Sequence, residues 1–518
     1  METRLATDRD VAALRDLFIE AYGNDYPYPQ FYETEWLKRT VYDDSAIVVV
    51  AEHEGRLCAT GTVVLNAGGY NDMVGELGRL VSSPSAGAAG AAAAVVRDLL
   101  SRIERKVLFA FGETRTVHRG SQRLSEQFGW QPIGFEPLKY RLLARESMMI
   151  YAHAAPMARE LRRNNPRVIP EVALLAQTAL GSMGFPVDAI VEDETDGYPT
   201  GASFVIESLE DSGVTPLLRI ERGRVRNREV FGNFTLAHGF FQIADRSTHY
   251  LVARDGAAVV GALGYSWDHI DRKIRIFEMI EFSDEAKGFL LREVNRVAGE
   301  LGAEYQEVDI SAHSPRMQRT LERLGYVPVA YLPSMVFEQV ERLDIVRMAR
   351  LNVPYDPENM RLSSRAARVA DIVERRLEER VACAGVCENV RRARLFHGMP
   401  EGDMLPLLRI ARPRSFAPGT IIIRQGDPTD RIFILGEGRA SVQIHGQEVA
   451  SLAPGEVFGE MGLLERAPRS ADVVLPDGGS AVEMEIDSLE RLLEQRPRLG
   501  HTVMRNLAAG LSEKLRRK

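Results

Sequence analysis

The chain has little of what would tie it to a membrane, a metal or an oxidising compartment. Only three of its 518 residues are cysteine, Cys58, Cys383 and Cys387, too few for a disulfide framework, so a reducing compartment is expected. Cys383 and Cys387 lie four apart in a stretch that reads as helix and share a face. None of the 10 histidines clusters with them, so packing is expected there and no metal site. No apolar run is long enough to cross a bilayer, and the start METRLATDRD lacks the apolar core of a secretion signal. An excess of positive charge is missing too. Against 65 Lys+Arg stand 73 Asp+Glu, for a net charge of −8 and a pI of 5.8, which argues against nucleic-acid binding as the main task. A cytoplasmic protein with neither membrane nor nucleic acid as partner is the expectation. What is present is ordinary for a globular chain, 45% hydrophobic and 27% charged, with length for roughly two to four domains.

The most legible stretch runs from Phe458 to Val474, FGEMGLLERAPRSADVV. Gly459 permits close backbone approach. Glu460 offers a carboxylate, Arg469 a planar fork that suits a phosphate, and Ser470 a hydroxyl donor beside it. Met461 to Leu464 reads as one helical turn whose free N–H groups would face an anion. Upstream, Gly419, Gly426, Gly436, Gly438, Gly446 and Gly455 punctuate short alternating strands, the pattern of a compact antiparallel β-roll.

This segment resembles the phosphate-binding cassette of cyclic-nucleotide-binding domains, the FGE…RSA pattern of bacterial cAMP receptors and kinase regulatory subunits. The resemblance implies a pocket made by Phe458, Gly459, Glu460, Met461, Arg469, Ser470 and Ala471, with Glu460 on the ribose and Arg469 with Ser470 on the cyclic phosphate. cAMP is the expected ligand, from the bacterial setting and the RSA tripeptide; cGMP is the alternative.

At the other end, Asp8 to Tyr22 has the period of an amphipathic helix. The aromatic, proline-broken stretch YGNDYPYPQFYETEW follows, which reads equally well as a substrate-side loop and as a packed structural one. Two strand signals, Ala46–Glu52 and Arg56–Leu65, meet at Glu54-Gly55 as in a hairpin. A strand from Leu77 to Ser82 then runs into SPSAGAAGAAAA, where small residues leave the N–H groups at a helix start uncovered, as a pyrophosphate requires. A strand at Val107–Phe111 and a helix ending SEQFGWQPIGFEPLKY follow.

This order resembles the GNAT superfamily of acyl-CoA-dependent N-acetyltransferases over residues 1–145. The resemblance implies acetyl-CoA as acyl donor, held by Ser85, Gly87, Ala88, Ala89, Gly90, Ala91 and Ala92, with Leu80 and Val81 presenting backbone groups to the thioester and pantetheine arm. Gly87 departs from the basic residue usual in that loop, and Ser125 stands where a tyrosine is common. A second copy follows: Tyr250–Ser266 reads like Ala46–Val64, each with an acidic-Gly turn, and QRTLERLGYVPVAYLP echoes QRLSEQFGWQPIGFEP. Its nucleotide loop is replaced by FSDEAKGFLLREV, whose adjacent carboxylates would repel a pyrophosphate, so this half is expected to be non-catalytic and to complete the fold or shape the acceptor site.

The expected division is a GNAT-like domain at 1–145, a degenerate one with a helical lead-in at 146–340, a helical connector at 341–390 and the nucleotide domain at 391–518. The fold class is mixed α+β, two α/β halves followed by an antiparallel β-roll with flanking helices.

Acyl transfer to a protonated amine needs a base, an oxyanion donor and a proton for the departing thiolate. Glu76 is the candidate base, with His118 as the alternative. His118, Ser121 and Ser125 could face the thiol; Arg79 and Asp72 are further polar candidates. No cysteine is placed as a nucleophile, so direct transfer is expected. The two resemblances together imply an N-acyltransferase under cyclic-nucleotide control, acting on an amine of a protein lysine or a small molecule, with a homodimer left open. One rival is a transcription regulator, against which the chain ends at Lys518 with no room for a helix-turn-helix. Another is a nucleotide-responsive binding protein with an inactive transferase fold.

Overall fold

A computed structural model describes residues 1–23, 27–65, 67, 72–84, 90–142, 144–210, 228–232, 246–281, 283–356, 359–399, 403–428, 430–465 and 467–516. The chain divides into two compact units, Met1–Leu377 and Glu378–Lys518.

The first unit is built on one long sheet whose two halves share a strand order. The first half contains β1 (Glu2–Leu5), α1 (Val11–Tyr22), α2 (Thr34–Tyr42), β2 (Ala46–His53), β3 (Arg56–Val64), β4 (Val74–Ser82), α3 (Ala91–Ile103), β5 (Phe109–Arg115), α4 (Gly120–Gln127), β6 (Gln131–Arg141) and β7 (Arg145–Ala154). The β2–β3 hairpin turns through Glu54 and Gly55, both at positive φ (52° and 76°), the handedness that matches strand twist in a tight hairpin. Alanine-rich α3 lies hard against the sheet: a Cβ on Gly61 would meet Val95 at 2.9 Å and Leu99 at 3.1 Å.

Between the halves lie α5 (Pro156–Glu160), β8 (Arg167–Val168), α6 (Pro170–Met183) and β9 (Ile190–Val191). The second half comprises β10 (Val205–Glu210), β11 (Val230–Phe231), β12 (Arg246–Asp255), β13 (Ala258–Asp268), β14 (Lys273–Glu281), α7 (Asp284–Glu300), β15 (Tyr305–Ser311), α8 (Pro315–Arg323), β16 (Val327–Glu338) and β17 (Glu341–Leu351). The sheet runs β1-β2-β3-β4-β5-β7-β6-β16-β17-β15-β14-β13-β12-β10. Within it β4/β5 and β14/β15 are parallel, the same place in each half. The halves join where Gly134 of β6 faces Ala330 of β16. A Cβ at 134 would sit 2.3 Å from that of Ala330, so the seam closes only over glycine.

Each parallel pair is short. β4 pairs with β5 only from Val74 to Glu76, and β14 with β15 only from Lys273 to Ile276; beyond those points the strands part. In the second half the gap is filled by the chain itself. Val230 and Phe231 of β11 pair with Ile310 and Asp309 of β15 and are buried, while Gly232 lies so near β14 that a Cβ there would be 2.5 Å from the Cα of Phe277. Glu229, just before β11, accepts hydrogen bonds from Lys287 Nζ at 2.7 Å and from the Tyr198 hydroxyl at 2.9 Å. The start of α7 is covered too, since a Cβ on Gly288 would come 2.0 Å from the Pro199 carbonyl oxygen.

Glu281 shares this cluster, 3.6 Å from Lys287. Burial, with the negative charge of Glu229 adding to it, pushes Glu281 up to about 7. The folded value lies above the unfolded one, so the protonated carboxyl favours the fold; that contribution is complete below about pH 4.5 and is lost as pH rises through about 7. A Glu281→Gln protein should therefore show a flatter dependence of unfolding free energy on pH between about 5 and 8, with a gain of up to about 3 kcal/mol at the upper end. Denaturant titrations at several pH values check this, and parallel curves for the two proteins would refute it.

Two expectations need correction. VERLDIVRMARL, read as the start of a helical connector at 341–390, is strand β17 in the middle of the sheet; helix begins only at α9 (Ser364–Arg392), within which the boundary between the units falls. Its charged residues Arg342, Asp344 and Arg347 are all buried, with Asp344 and Arg347 held in ion pairs. Likewise 148–154, read with a helical stretch, belongs to β7, which is hydrogen-bonded between β5 and β6. The first half therefore runs past residue 145.

In the second unit α10 (Met404–Ile410) precedes a β-roll of β18 (Ala411–Phe416), β19 (Thr420–Ile423), β20 (Arg431–Glu437), β21 (Ala440–Ile444), β22 (Gln447–Leu452), β23 (Val457–Phe458), β24 (Asp472–Leu475) and β25 (Gly479–Glu485). These form two antiparallel sheets, β18-β25-β20-β23 and β19-β24-β21-β22. α11 (Ile486–Gln495) and α12 (Pro497–Arg516) follow. Ile423, Phe433, Leu435, Phe458 and Val473 are among the residues of a small core inside the roll.

Candidate functional site

In the second unit the cassette is built on β23. Phe458 stacks on Phe433 of β20 with ring centroids 5.2 Å apart, anchoring the chain where it leaves the roll. Gly459 then turns through φ 79° into a 3₁₀ turn, Glu460–Leu463. A Cβ on Gly459 would lie 2.8 Å from Arg469 Nη1 and 2.9 Å from the Arg431 carbonyl oxygen, so both space and dihedral require glycine. The half-buried Arg469 donates from Nη1 to the Gly459 carbonyl at 3.2 Å and from Nη2 to the Arg431 carbonyl at 2.5 Å. Burial draws its pKa down, while the charges of Asp430, Glu460 and Asp427 act the other way. Its backbone is clamped against the turn at Gly426: Gly426 N–H donates to the Arg469 carbonyl (2.8 Å) and Arg469 N–H to that of Asp427 (3.0 Å). Ser470 and Met461 are exposed, and Gly459, Glu460 and Ala471 half-buried. The turn thus places the Arg469 guanidinium against Gly459, with Glu460 at the start of the same turn and Ser470 and Ala471 next along the chain.

In the first unit a cavity of about 340 Å³ opens where β4 and β5 part. Beyond Glu76 the β5-facing edge of β4 has no ladder partner among the described residues. A bulge lies there too: Thr62 pairs with Gly78 but Thr60 with Val81, and Arg79 takes φ 54°, which re-aims the backbone groups of Leu80 and Val81. Gly112 of β5 comes close enough that a Cβ would be 2.6 Å from the Leu77 carbonyl oxygen.

Glu76, Leu80, Val81, His118 and Ser125 all line this cavity, as does Ser121. The His118 imidazole is pulled below its usual value by burial and by the positive charge of Arg115, so it is neutral at pH 7 and free to take a proton. Arg115 itself makes a two-pronged pair with Glu146, at 2.8 and 2.6 Å. Gly90 caps α3 at φ 83°, followed by buried Ala91 and half-buried Ala92. Ser85, Gly87, Ala88 and Ala89 lie outside the described residues. Asp72 instead accepts the Phe337 amide at 2.8 Å and does not line the cavity. Of the aromatic stretch, Tyr22, Tyr28 and Phe31 line it.

What reading the sequence missed is the far wall. Lys139 and Tyr140 of β6, and Asp268, Asp271 and Lys273 of the second half, face the same cavity. The Tyr28 hydroxyl donates to Asp271 at 3.0 Å, tying the aromatic segment to that wall. Behind it Lys139 Nζ is held by Glu113 and Glu136 at 2.8 Å and Glu307 at 3.0 Å. No local signal in the sequence announces the meetings of Tyr28 with Asp271 and of Lys139 with Glu307, which join residues more than a hundred positions apart. Among the described residues no cluster of His, Cys, Asp and Glu could hold a metal, and no helix is long and apolar enough to cross a membrane.

Comparison with known proteins gives one family model and partial matches to longer proteins. Residues 413–496 match the family model of the cyclic nucleotide-binding domain. Glutaminase 1 of Bradyrhizobium diazoefficiens is 38% identical over 122 residues, 23% of this chain and 20% of that protein. The cyclic AMP receptor protein of Thermus thermophilus is 32% identical over 127 residues, 24% of this chain and 57% of that one. Among solved structures, the catabolite activator protein of Thermus thermophilus aligns at 30% identity and a TM-score of 0.22, covering 24% of this chain and 59% of that one. The chain spans about a fifth of the length of the glutaminase, so the shared stretch is a part of that protein. The second unit carries a cyclic nucleotide-binding domain.

Proposed function

We propose that the chain is an acyl-CoA-dependent N-acyltransferase whose activity responds to a cyclic nucleotide, cAMP first. The observation that carries the first part is the parted β4/β5 pair opening onto a cavity that gathers Glu76, His118 and Ser125. An unpaired strand edge with a bulge suits an extended chain carrying amides, such as a pantetheine arm, which it can bond as an added strand. The first turn of α3, behind left-handed Gly90, has the N–H groups that a helix start offers to a pyrophosphate. Acetyl-CoA, when bound, supplies the activated acyl group. Within the cavity, neutral His118 or Glu76 takes the proton from the acceptor ammonium, the amides of Leu80 and Val81 donate to oxygen as it gains charge, and Ser125 or Ser121 offers a hydroxyl proton near the departing sulfur.

In the second half β11 occupies the corresponding gap and Pro199 covers the helix start. One acetyl-CoA per chain is therefore expected. Titration calorimetry reads it: a fitted stoichiometry of two would overturn the assignment of the second half, and no heat at all would overturn the transferase reading.

cAMP is favoured because the cassette residues are all present and proteins similar to this unit include a cyclic AMP receptor; similarity to cGMP-dependent protein kinases, 37% over 93 residues for that of Toxoplasma gondii, keeps cGMP in the test. Regulation requires that nucleotide bind the more and less active arrangements with different affinity. An acyl-transfer screen over protein lysines and small amines, with and without each nucleotide, tests the whole reading. It also separates it from an inactive transferase fold, which would transfer to nothing.

A further inference from the structure

The far wall of the cavity holds a lysine whose surroundings are incomplete. Lys273 at the start of β14 is 4% exposed and faces the cavity. Its nearest carboxylate, Asp271, is 4.0 Å away, beyond hydrogen-bond reach. The oxygens of Asp271 are already taken, by the Tyr28 hydroxyl at 3.1 and 3.0 Å and the Arg141 amide at 3.0 Å. The face of the Tyr140 ring lies against Lys273 as well, 4.2 Å from Nζ to the centroid, while Asp268 and Glu307 line the same cavity without a hydrogen bond to it among the described residues. Lys139, on the neighbouring wall, shows what a satisfied buried ammonium looks like here, with three carboxylate oxygens within 3.0 Å. An ammonium taken out of water with no hydrogen-bond acceptor is costly, and such groups in clefts are where ligands complete the shell. Burial draws the Lys273 pKa down and the positive charge of Lys139 adds to it, against the negative charges of Asp271, Glu307 and Asp268.

We infer that Lys273 binds a carboxylate of the acceptor, so that the acyl acceptor is a small amine bearing a carboxylate, of the amino-acid class, and not a lysine on a protein surface. An anion is the partner because a carboxylate gives an ammonium its strongest hydrogen bonds in a site shielded from water. The acceptor carries it because Lys273 belongs to the wall opposite the parted strands that take the donor. The aromatic side chains of Phe18, Tyr28 and Phe31 then pack on the acceptor's body. The second half keeps a role without a cofactor of its own, as half of the acceptor pocket. This inference rests on the transferase reading above.

The test uses the full-length protein with acetyl-CoA and follows thiol release. The panel contains amino acids, the matching amides and decarboxylated amines, and a lysine peptide blocked at both ends. The expected result is a preference of tenfold or more in kcat/KM for the carboxylated members. Lys273→Met should erase it mainly through KM, and Lys273→Arg should retain part of it. Equal use of carboxylated and blocked amines by the wild type overturns the inference, and needs no variant. So does a preference that persists in Lys273→Met, a preference for succinyl-CoA over acetyl-CoA with no preference among amines, or acetylated Lys273 in the mass spectrum after turnover. Calorimetry of acetyl-CoA on the wild type decides the transferase reading separately, so failure of one is distinguishable from failure of the other.

Discussion

An Arg469→Glu protein should bind cAMP at least about a hundredfold more weakly than the wild type in titration calorimetry. The guanidinium is the cation of the cassette that comes with a planar pair of donors, and each charge-assisted hydrogen bond to a buried anion is worth about 1.5–3 kcal/mol. Two such bonds lost correspond to two or more decades of affinity, and the new carboxylate adds repulsion. Both donors rest on the carbonyls of Gly459 and Arg431. A phosphate arriving there exchanges neutral acceptors for a charged one. Arg469→Lys should fall between, keeping charge but losing the fork. Any effect of nucleotide on transfer should disappear with binding. An unchanged affinity in Arg469→Glu would remove the cassette from the account, and a response persisting without measurable binding would place the nucleotide elsewhere.

The second large effect is expected at Lys139. Replacing it with methionine keeps the stem and deletes the ammonium from among Glu113, Glu136 and Glu307, which lie on β5, β6 and β15 and so belong to both halves of the sheet. Breaking a buried ion cluster by removing one sign typically costs about 3–5 kcal/mol, because the remaining charges stay out of water unpaired. Arg347 softens the loss, since it reaches Glu136 at 3.0 Å and Asp309 at 2.7 Å.

The pH dependence gives the experiment a sign. In the wild type Glu113 is held down to about 2: burial alone would raise it, and the Lys139 charge prevails. Its contribution is therefore present above the unfolded value near 4.5 and is lost only as pH falls through about 2. Glu136 in the same cluster is pushed up to about 7 by burial, so the wild type already gains stability as pH is lowered from about 7 to 5; in Lys139→Met only Arg347 still opposes burial at Glu113, that carboxyl rises as well, and the gain should steepen. Urea titrations across that range read both the loss and the change of slope; a variant as stable as the wild type at pH 7 would contradict the cluster's role in joining the halves.

The two sites differ in how far a linear reading could go. The cassette was legible because its parts sit within a single turn-and-return of chain: Gly459, Glu460 and Arg469 are brought together by local geometry, and the glycine is demanded by a left-handed dihedral. The hairpin at Glu54-Gly55 was legible for the same reason. The paired landmarks around Gly129 and Gly325, both at positive φ after a helix, marked the internal repeat. By contrast β17 was misread, because Arg342, Asp344 and Arg347 look like a solvated face until Arg162, Tyr331 and Asp309 are seen to surround them. Charge in a sequence reports polarity; it does not report whether a partner waits in the interior.

Sequence alone was therefore enough for the β-roll, the turn at Gly459 and the existence of two similar halves, all features encoded over short separations by dihedral preference and hydrophobic period. Folding decided that β4 and β5 part over an open cavity while β14 and β15 close on β11, and that Lys273 of one half faces the same space as Glu76 of the other. Those outcomes depend on which distant segments fill a gap and which buried charges find partners, and both are settled by packing between residues that no local pattern connects.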